Sequence, residues 1–478
     1  MRWLRAALSR MSSSVPATPA APAAAAAAAT AAAASPDLYT LSARLQPFGA
    51  QTVWQEFTPL AKQLGAINCG QGFPDWPAPP FVKEALCRAV HEDANQYARS
   101  AGLPALCEAL AARYSPLLGR QLDWESEVTV GVGSSECLYA CMQALLDPGD
   151  EAVLISPAFD IYAAQVSMAG GSCVYVPLRL APGGGGGGGG GGDTQEWTLD
   201  MAELRAALTP RTRVLLLNTP QNPTGKVLTR GELEAVAAML ADFPRVVVVS
   251  DEVYENMLYD GREHVRMATL PGMWARTLTV SSAGKTFSVT GWKVGWVIGP
   301  APLVRGVIVT NQWVQFSVST PAQLAIAYAF ERAAAPYEGH ASYYSWLAAE
   351  YARKRATLCA GLRAAGMPPI TPQGSFFIMA DTSAVEVPPA YLAQRSAACG
   401  ARMRRDWAFC KFLAHDVGVI AIPTSAFYEE RDKHLAEGVA RFAFCKGDDS
   451  LEEACRRLRK LRAWLKPEAR AALEARGE

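Results

Sequence analysis

Seven short apolar runs, each closing on small or polar residues, constrain the fold of this chain more than any other feature. They are VTVGVGS (128–134), AVLISP (152–157), CVYVPL (173–178), VLLLNTP (214–220), RVVVVSDE (245–252), TLTVSS (277–282) and VGWVIGP (294–300). Val/Ile/Leu runs without polar alternation are the mark of strands covered on both faces, since neither side meets water. Several intervening stretches follow helical spacing instead, as in DMAELRAAL (200–208) and RGELEAVAAMLADF (230–243). Strands alternating with helices predict an α/β layered fold around a largely parallel sheet. In such sheets ligands bind off the carboxyl ends of the strands. Asn218, Asp251, Ser282 and Lys285 all fall there.

The totals narrow the function. The 478 residues, half of them hydrophobic, suffice for two or three domains. Lysine plus arginine and aspartate plus glutamate both number 45, so no net charge favours nucleic acid or a membrane surface. The basic stretches RRLRKLRAWLK (456–466) and CGARMRRDW (399–407) read as solvated faces. Eleven cysteines without a C-x-x-C pair fit a reducing compartment, and five scattered histidines without H-E-x-x-H give no metal site. Residues 1–36 hold Arg2, Arg5 and Arg10 among serines and alanines with no acid before Asp37, the composition of an organelle transit peptide or of an Ala/Pro tail. Mitochondrial matrix or cytoplasm is therefore expected. The glycine run 183–192 and the irregular segment 388–405 read as surface loops without chemistry.

Three motifs fail on inspection. GVGSSE (131–136) begins as a dinucleotide fingerprint but carries Glu136 for the third glycine, and SSAGKT (281–286) has Thr279 in place of the first glycine of a P-loop. SAGK (282–285) matches S-x-x-K, yet the S-D-N and K-T-G partners of penicillin-recognising enzymes are missing.

One constellation satisfies a cofactor. A lysine shielded from water becomes a nucleophile toward carbonyls and forms Schiff bases. Pyridoxal 5'-phosphate (PLP) uses such a lysine and needs an acid at its pyridine nitrogen. Lys285 and Asp251 supply the pair, while Asn222 and Tyr254 can bond the phenolic oxygen. The phosphate needs N–H groups at a helix start and a cation. Ser134 and Ser135, with Ser282 and Lys293, provide them, and Phe159 offers a ring face.

NTPQNPTGK (218–226), SDEVYE (250–255) and SSAGKTFSVTGWKVGW (281–296) resemble the class I/II aminotransferases of fold type I. INCGQGFPDWPAP (67–79), VWQEFTPLA (53–61), QYARSAGLPAL (96–106) and AIPTSAFY (421–428) resemble the branch of kynurenine aminotransferase, glutamine transaminase K and cysteine-conjugate β-lyase. The similarity runs from about residue 42 to 466. It implies a large domain with a mostly parallel seven-stranded sheet (85–335) and a smaller α/β domain (336–478, with segment 37–84 packed on it). It implies a homodimer acting on amino acids and 2-oxo acids. Arg441 would then bind the substrate carboxylate beside Asn222 and Gly72. Trp54 and Tyr97 would line the substrate pocket, Tyr97 also reaching the phosphate of the other subunit. Cys69 stands where leucine is usual, and Val318 and Ser319 where some members carry an aromatic–histidine pair. The alternatives are another enzyme on the same cofactor, such as a carbon–sulfur lyase, and a non-catalytic binding protein on the same fold.

Overall fold

The computed structural model describes residues 40–182, 195–400 and 402–475, so the N-terminal tail and the glycine run lie outside the described residues. The seven apolar runs form seven strands: β1 Val128–Val132, β2 Glu151–Ser156, β3 Ser172–Pro177, β4 Thr212–Asn218, β5 Val247–Asp251, β6 Thr277–Ser282 and β7 Val294–Ile298. They make one sheet in the order β1-β7-β6-β5-β4-β2-β3. From β6 to β3 the neighbours run parallel, and β7 alone is antiparallel to both of its partners. Every residue of β2, β5, β6 and β7 is buried, because helices pack on both faces. Gly133–Leu145, one of these helices, starts directly where β1 ends.

Register aligns the functional ends. Asn218 of β4 pairs with Asp251 of β5, Asp251 with Val280 of β6, and Ser282 with Gly295 of β7. Gly295 is required there: a Cβ would collide with the Gly133 carbonyl carbon at the start of the helix. A second sheet is antiparallel throughout, in the order β8-β9-β11-β10, from Pro369–Ile370 (β8), Phe377–Asp381 (β9), Ile422–Pro423 (β10) and Val439–Ala443 (β11). Arg441 sits in the middle of β11, opposite Met379 and Ile422.

The motif SDEVYE also serves the interior. Glu252 and Glu255 turn away from the strand ends to the buried Arg266, which pairs with both, and His264 Nε2 lies 2.7 Å from Glu252. Burial opposes ionisation of both acids, but His264 and Arg266 hold Glu252 below its ordinary range, and Arg266 and Arg113 bring Glu255 to about 2. Removing the cation leaves two buried carboxylates short of a partner. Arg266→Met is therefore expected to cost about 3–5 kcal/mol of stability, read from the urea midpoint of the holoenzyme. A loss below about 1 kcal/mol, the range of a surface pair, would show that the network contributes little.

Candidate active site

A pocket of about 400 Å³ opens at the carboxyl ends of β4, β5 and β6, and its wall includes Gly72, Ser134, Ser135, Phe159, Asn222, Asp251, Tyr254, Lys285, Trp54 and Arg441. Ten of the thirteen residues singled out from the sequence thus meet in one cavity. Ser282, Lys293 and Tyr97 are not part of its wall.

At the base, Asp251 ends β5 and is 4% exposed. Its Oδ2 accepts a hydrogen bond of 2.7 Å from the Tyr162 hydroxyl. Burial raises its pKa to about 6, against that bond and the charge of Lys285. Such an acid suits a protonated ring nitrogen, which would return the stabilisation lost on burial.

Lys285 lies in the short helix Ala283–Thr286, right after β6. Its Nζ donates to the Gly72 carbonyl at 3.1 Å and lies 5.2 Å from the Phe376 ring centroid. Burial lowers its pKa to about 8, with Cys445 and Asp251 opposing. Roughly one such lysine in ten is neutral at pH 7, against about three in ten thousand for an ordinary one. Linkage of an aldehyde cofactor to the apoenzyme is therefore expected to speed up as pH rises through about 8, not 10.5. In Asp251→Asn the midpoint should fall further, because the carboxylate favours the charged amine. Stopped-flow reconstitution over pH 6–10 checks both; a midpoint unmoved by the variant would sever the two groups.

The opposite end suits a phosphate. Gly133, Ser134 and Ser135 begin the 13-residue helix, with their N–H groups not yet committed to its ladder. Lys293 holds φ +56°, a left-handed conformation costing a residue with a Cβ roughly 1–2 kcal/mol. This backbone brings its ammonium beside the helix start: a Cβ on Gly133 would lie 3.1 Å from Lys293 Nζ. Ser282, the last residue of β6, is buried.

A hydrogen-bond chain crosses the pocket. Asn218 Nδ2 donates to the Asp251 carbonyl at 2.9 Å, the Asn222 backbone N–H to Asn218 Oδ1 at 2.8 Å, and Arg441 Nη1 to Asn222 Oδ1 at 2.8 Å. Arg441 Nη2 donates to the Gly70 carbonyl at 2.6 Å, while the buried Nε has no partner. The guanidinium carbon lies 4.2, 4.7 and 5.3 Å from the ring centroids of Phe377, Phe427 and Trp54. Burial lowers its pKa to about 10, so it stays charged at neutral pH. A buried cation with an idle donor and, among the described residues, no paired acid is arranged for an incoming carboxylate. Gly72 must lack a side chain, since a Cβ would lie 2.8 Å from Phe376 Cε2.

Tyr97 does not join this cavity within its own chain, and its expected place at the other subunit's phosphate is a matter between two copies. It is 83% exposed and packs edge-on against Phe316 at 5.3 Å. Val318 is buried in the core, and the exposed Trp313 and Phe316 stand nearby in sequence. Sequence reasoning missed Tyr162, although it lies only three residues after Phe159, and Phe377, whose role depends on the second sheet.

Comparison with known proteins agrees with this geometry. Residues 65–458 match the family model for aminotransferase class I and II. A kynurenine–oxoglutarate transaminase of Dictyostelium discoideum is 43% identical over 424 residues, covering 88% of this chain and 96% of its own. Kynurenine–oxoglutarate transaminase 1 of Homo sapiens is 40% identical over 420 residues, covering 85% and 95%. The solved N-succinyldiaminopimelate aminotransferase of Mycobacterium tuberculosis superposes with a TM-score of 0.76 at 38% identity, covering 88% of this chain and all of that one.

Proposed function

This chain belongs to the class I and II aminotransferases, and we propose that its amino donor is kynurenine or a related aromatic or sulfur-containing amino acid. It is a PLP-dependent enzyme that passes amino groups between amino acids and 2-oxo acids. The observation that carries the choice of donor is Arg441, a cation with an idle Nε set among three aromatic rings. A carboxylate next to a flat or apolar side chain meets both halves of that surrounding. The two kynurenine–oxoglutarate transaminases support the same choice.

The pocket fits the cofactor by its donor set. The helix start at Gly133–Ser135, with Lys293 and Ser282, would hold the phosphate. Asp251 would hold the ring nitrogen, Asn222 and Tyr254 the phenolic oxygen, Phe159 one ring face, and Lys285 the aldehyde carbon. When bound, PLP draws electrons from the α-carbon of the donor. The chain's residues do the rest. Arg441 orients the donor through its carboxylate, Asp251 keeps a proton on the ring nitrogen, and Phe377 and Trp54 exclude water from the Arg441 side. Lys285 Nζ, neutral and displaced by the donor's amine, would be the base that takes the α-proton and holds it for return.

The test is a half-reaction. Holoenzyme mixed with kynurenine and no 2-oxo acid should lose its visible absorbance as the amino group passes to the cofactor, and should regain it on adding 2-oxoglutarate. An unchanged band would reject kynurenine as donor. A cysteine S-conjugate with a good β-leaving group is expected to release pyruvate as a side reaction, and its absence would remove the β-lyase part of the proposal. The proposal includes a homodimer, supported by the exposed Tyr97, Trp313 and Phe316; light scattering at single-chain mass would count against it. It also includes mitochondrial import through residues 1–36, which a reporter fusion left in the cytosol would contradict.

A further inference from the structure

Trp54 stands between two cavities. Behind it, away from Lys285, lies a chamber of about 570 Å³ walled in part by Phe48, Tyr175, Ala398, Cys399 and Trp407, and both cavities share Trp54 and Phe159. The backbone of Trp54 is fixed, because it is the second residue of helix Val53–Leu64, closed by a Thr52–Gln55 capping box. Only its side-chain torsions are free, and one polar contact holds the indole: Nε1–H donates to Asp160 Oδ2 at 2.8 Å. Asp160 occupies the N-cap position of helix Ile161–Met168, where an aspartate ordinarily accepts from the first helical N–H groups. Here its side chain makes no capping bond. The carboxylate serves the indole instead, and the indole lies 5.3 Å from the Arg441 guanidinium carbon and 6.3 Å from the Phe427 ring.

We propose that Asp160 is a positioning residue that sets the size limit for the donor side chain, by pinning Trp54 as the wall between the two cavities. Without that bond the indole turns into the chamber, and the pocket beside Arg441 admits a bulkier side chain. This rests on reading Arg441 as the donor carboxylate site. The two differ in how they fail.

The test compares kcat/KM for tryptophan and for alanine as donors, at a fixed 2-oxo acid, in holoenzymes whose visible absorbance reports bound cofactor. Asp160→Ala should raise the tryptophan-to-alanine ratio roughly tenfold or more, the scale of shape discrimination in an apolar pocket. Asp160→Asn, whose amide oxygen still accepts from the indole, should stay within about twofold of the unaltered enzyme. Trp54→Phe, which lacks the indole N–H, should shift the ratio in the same direction as Asp160→Ala. Adding Ala398→Trp to Asp160→Ala fills the chamber and should return the ratio toward its starting value. An unmoved ratio in Asp160→Ala, or equal losses for both donors, overturns the proposal while the aminotransferase reading stands. If kynurenine, tryptophan and alanine all fail to react with the unaltered enzyme, the donor reading fails and takes this one with it.

Discussion

Lys285→Ala is expected to lower turnover by roughly 10⁴-fold, the upper range for a positioned general acid–base group, and to abolish the visible absorbance of the lysine–cofactor linkage. Two independent properties put the effect on this residue. Its amine is the one at the pocket wall, 3.1 Å from the Gly72 carbonyl, and burial has lowered its pKa to about 8. Lys293, the other lysine of the same sequence stretch, stands by the helix start at the phosphate end, so Lys293→Ala should weaken cofactor binding and keep the absorbance at saturating PLP. The two variants separate anchor from cradle. Equal loss of absorbance in both at saturation would contradict that division.

Arg441→Lys is expected to raise KM for the amino donor about a hundredfold while the cofactor stays bound, since a charge-assisted pair with a fork of donors is lost. Lysine keeps the charge but cannot donate to Asn222, to Gly70 and to a carboxylate from one plane. Those two protein bonds measure 2.8 and 2.6 Å, and the Nε left over is the one with no partner. Titration of the holoenzyme with donor gives the affinity, and the absorbance gives cofactor content in the same cuvette. Loss of cofactor with unchanged donor affinity would move Arg441 to the wrong end of the pocket.

Much of this was legible in the chain because the chemistry sits at strand ends. A run such as RVVVVSDE declares both a doubly covered strand and the residue that ends it, so Asp251 could be placed before any tertiary contact was known. The seven runs and the seven strands of the main sheet correspond one to one. The antiparallel sheet was not legible in the same way, because β8 and β10 are two residues long and show no period. Asp160 and Tyr162 lie beside Phe159, which the sequence did point to, yet their partners are 106 and 89 residues away. The aromatic surroundings of Arg441 come from Trp54, Phe377 and Phe427, three separate segments that only folding brings together. Tyr97, carried over by resemblance to the pocket and to the other subunit's phosphate, lies exposed on its own chain, so a single copy does not show what it touches.

Borohydride reduction of the holoenzyme, followed by peptide mapping, decides whether Lys285 carries the cofactor. Reduction fixes the cofactor to whichever amine holds it. The added mass is expected on the peptide containing Lys285, in close to one copy per chain. Added mass on Lys293 or another lysine instead, or on none, would contradict that assignment.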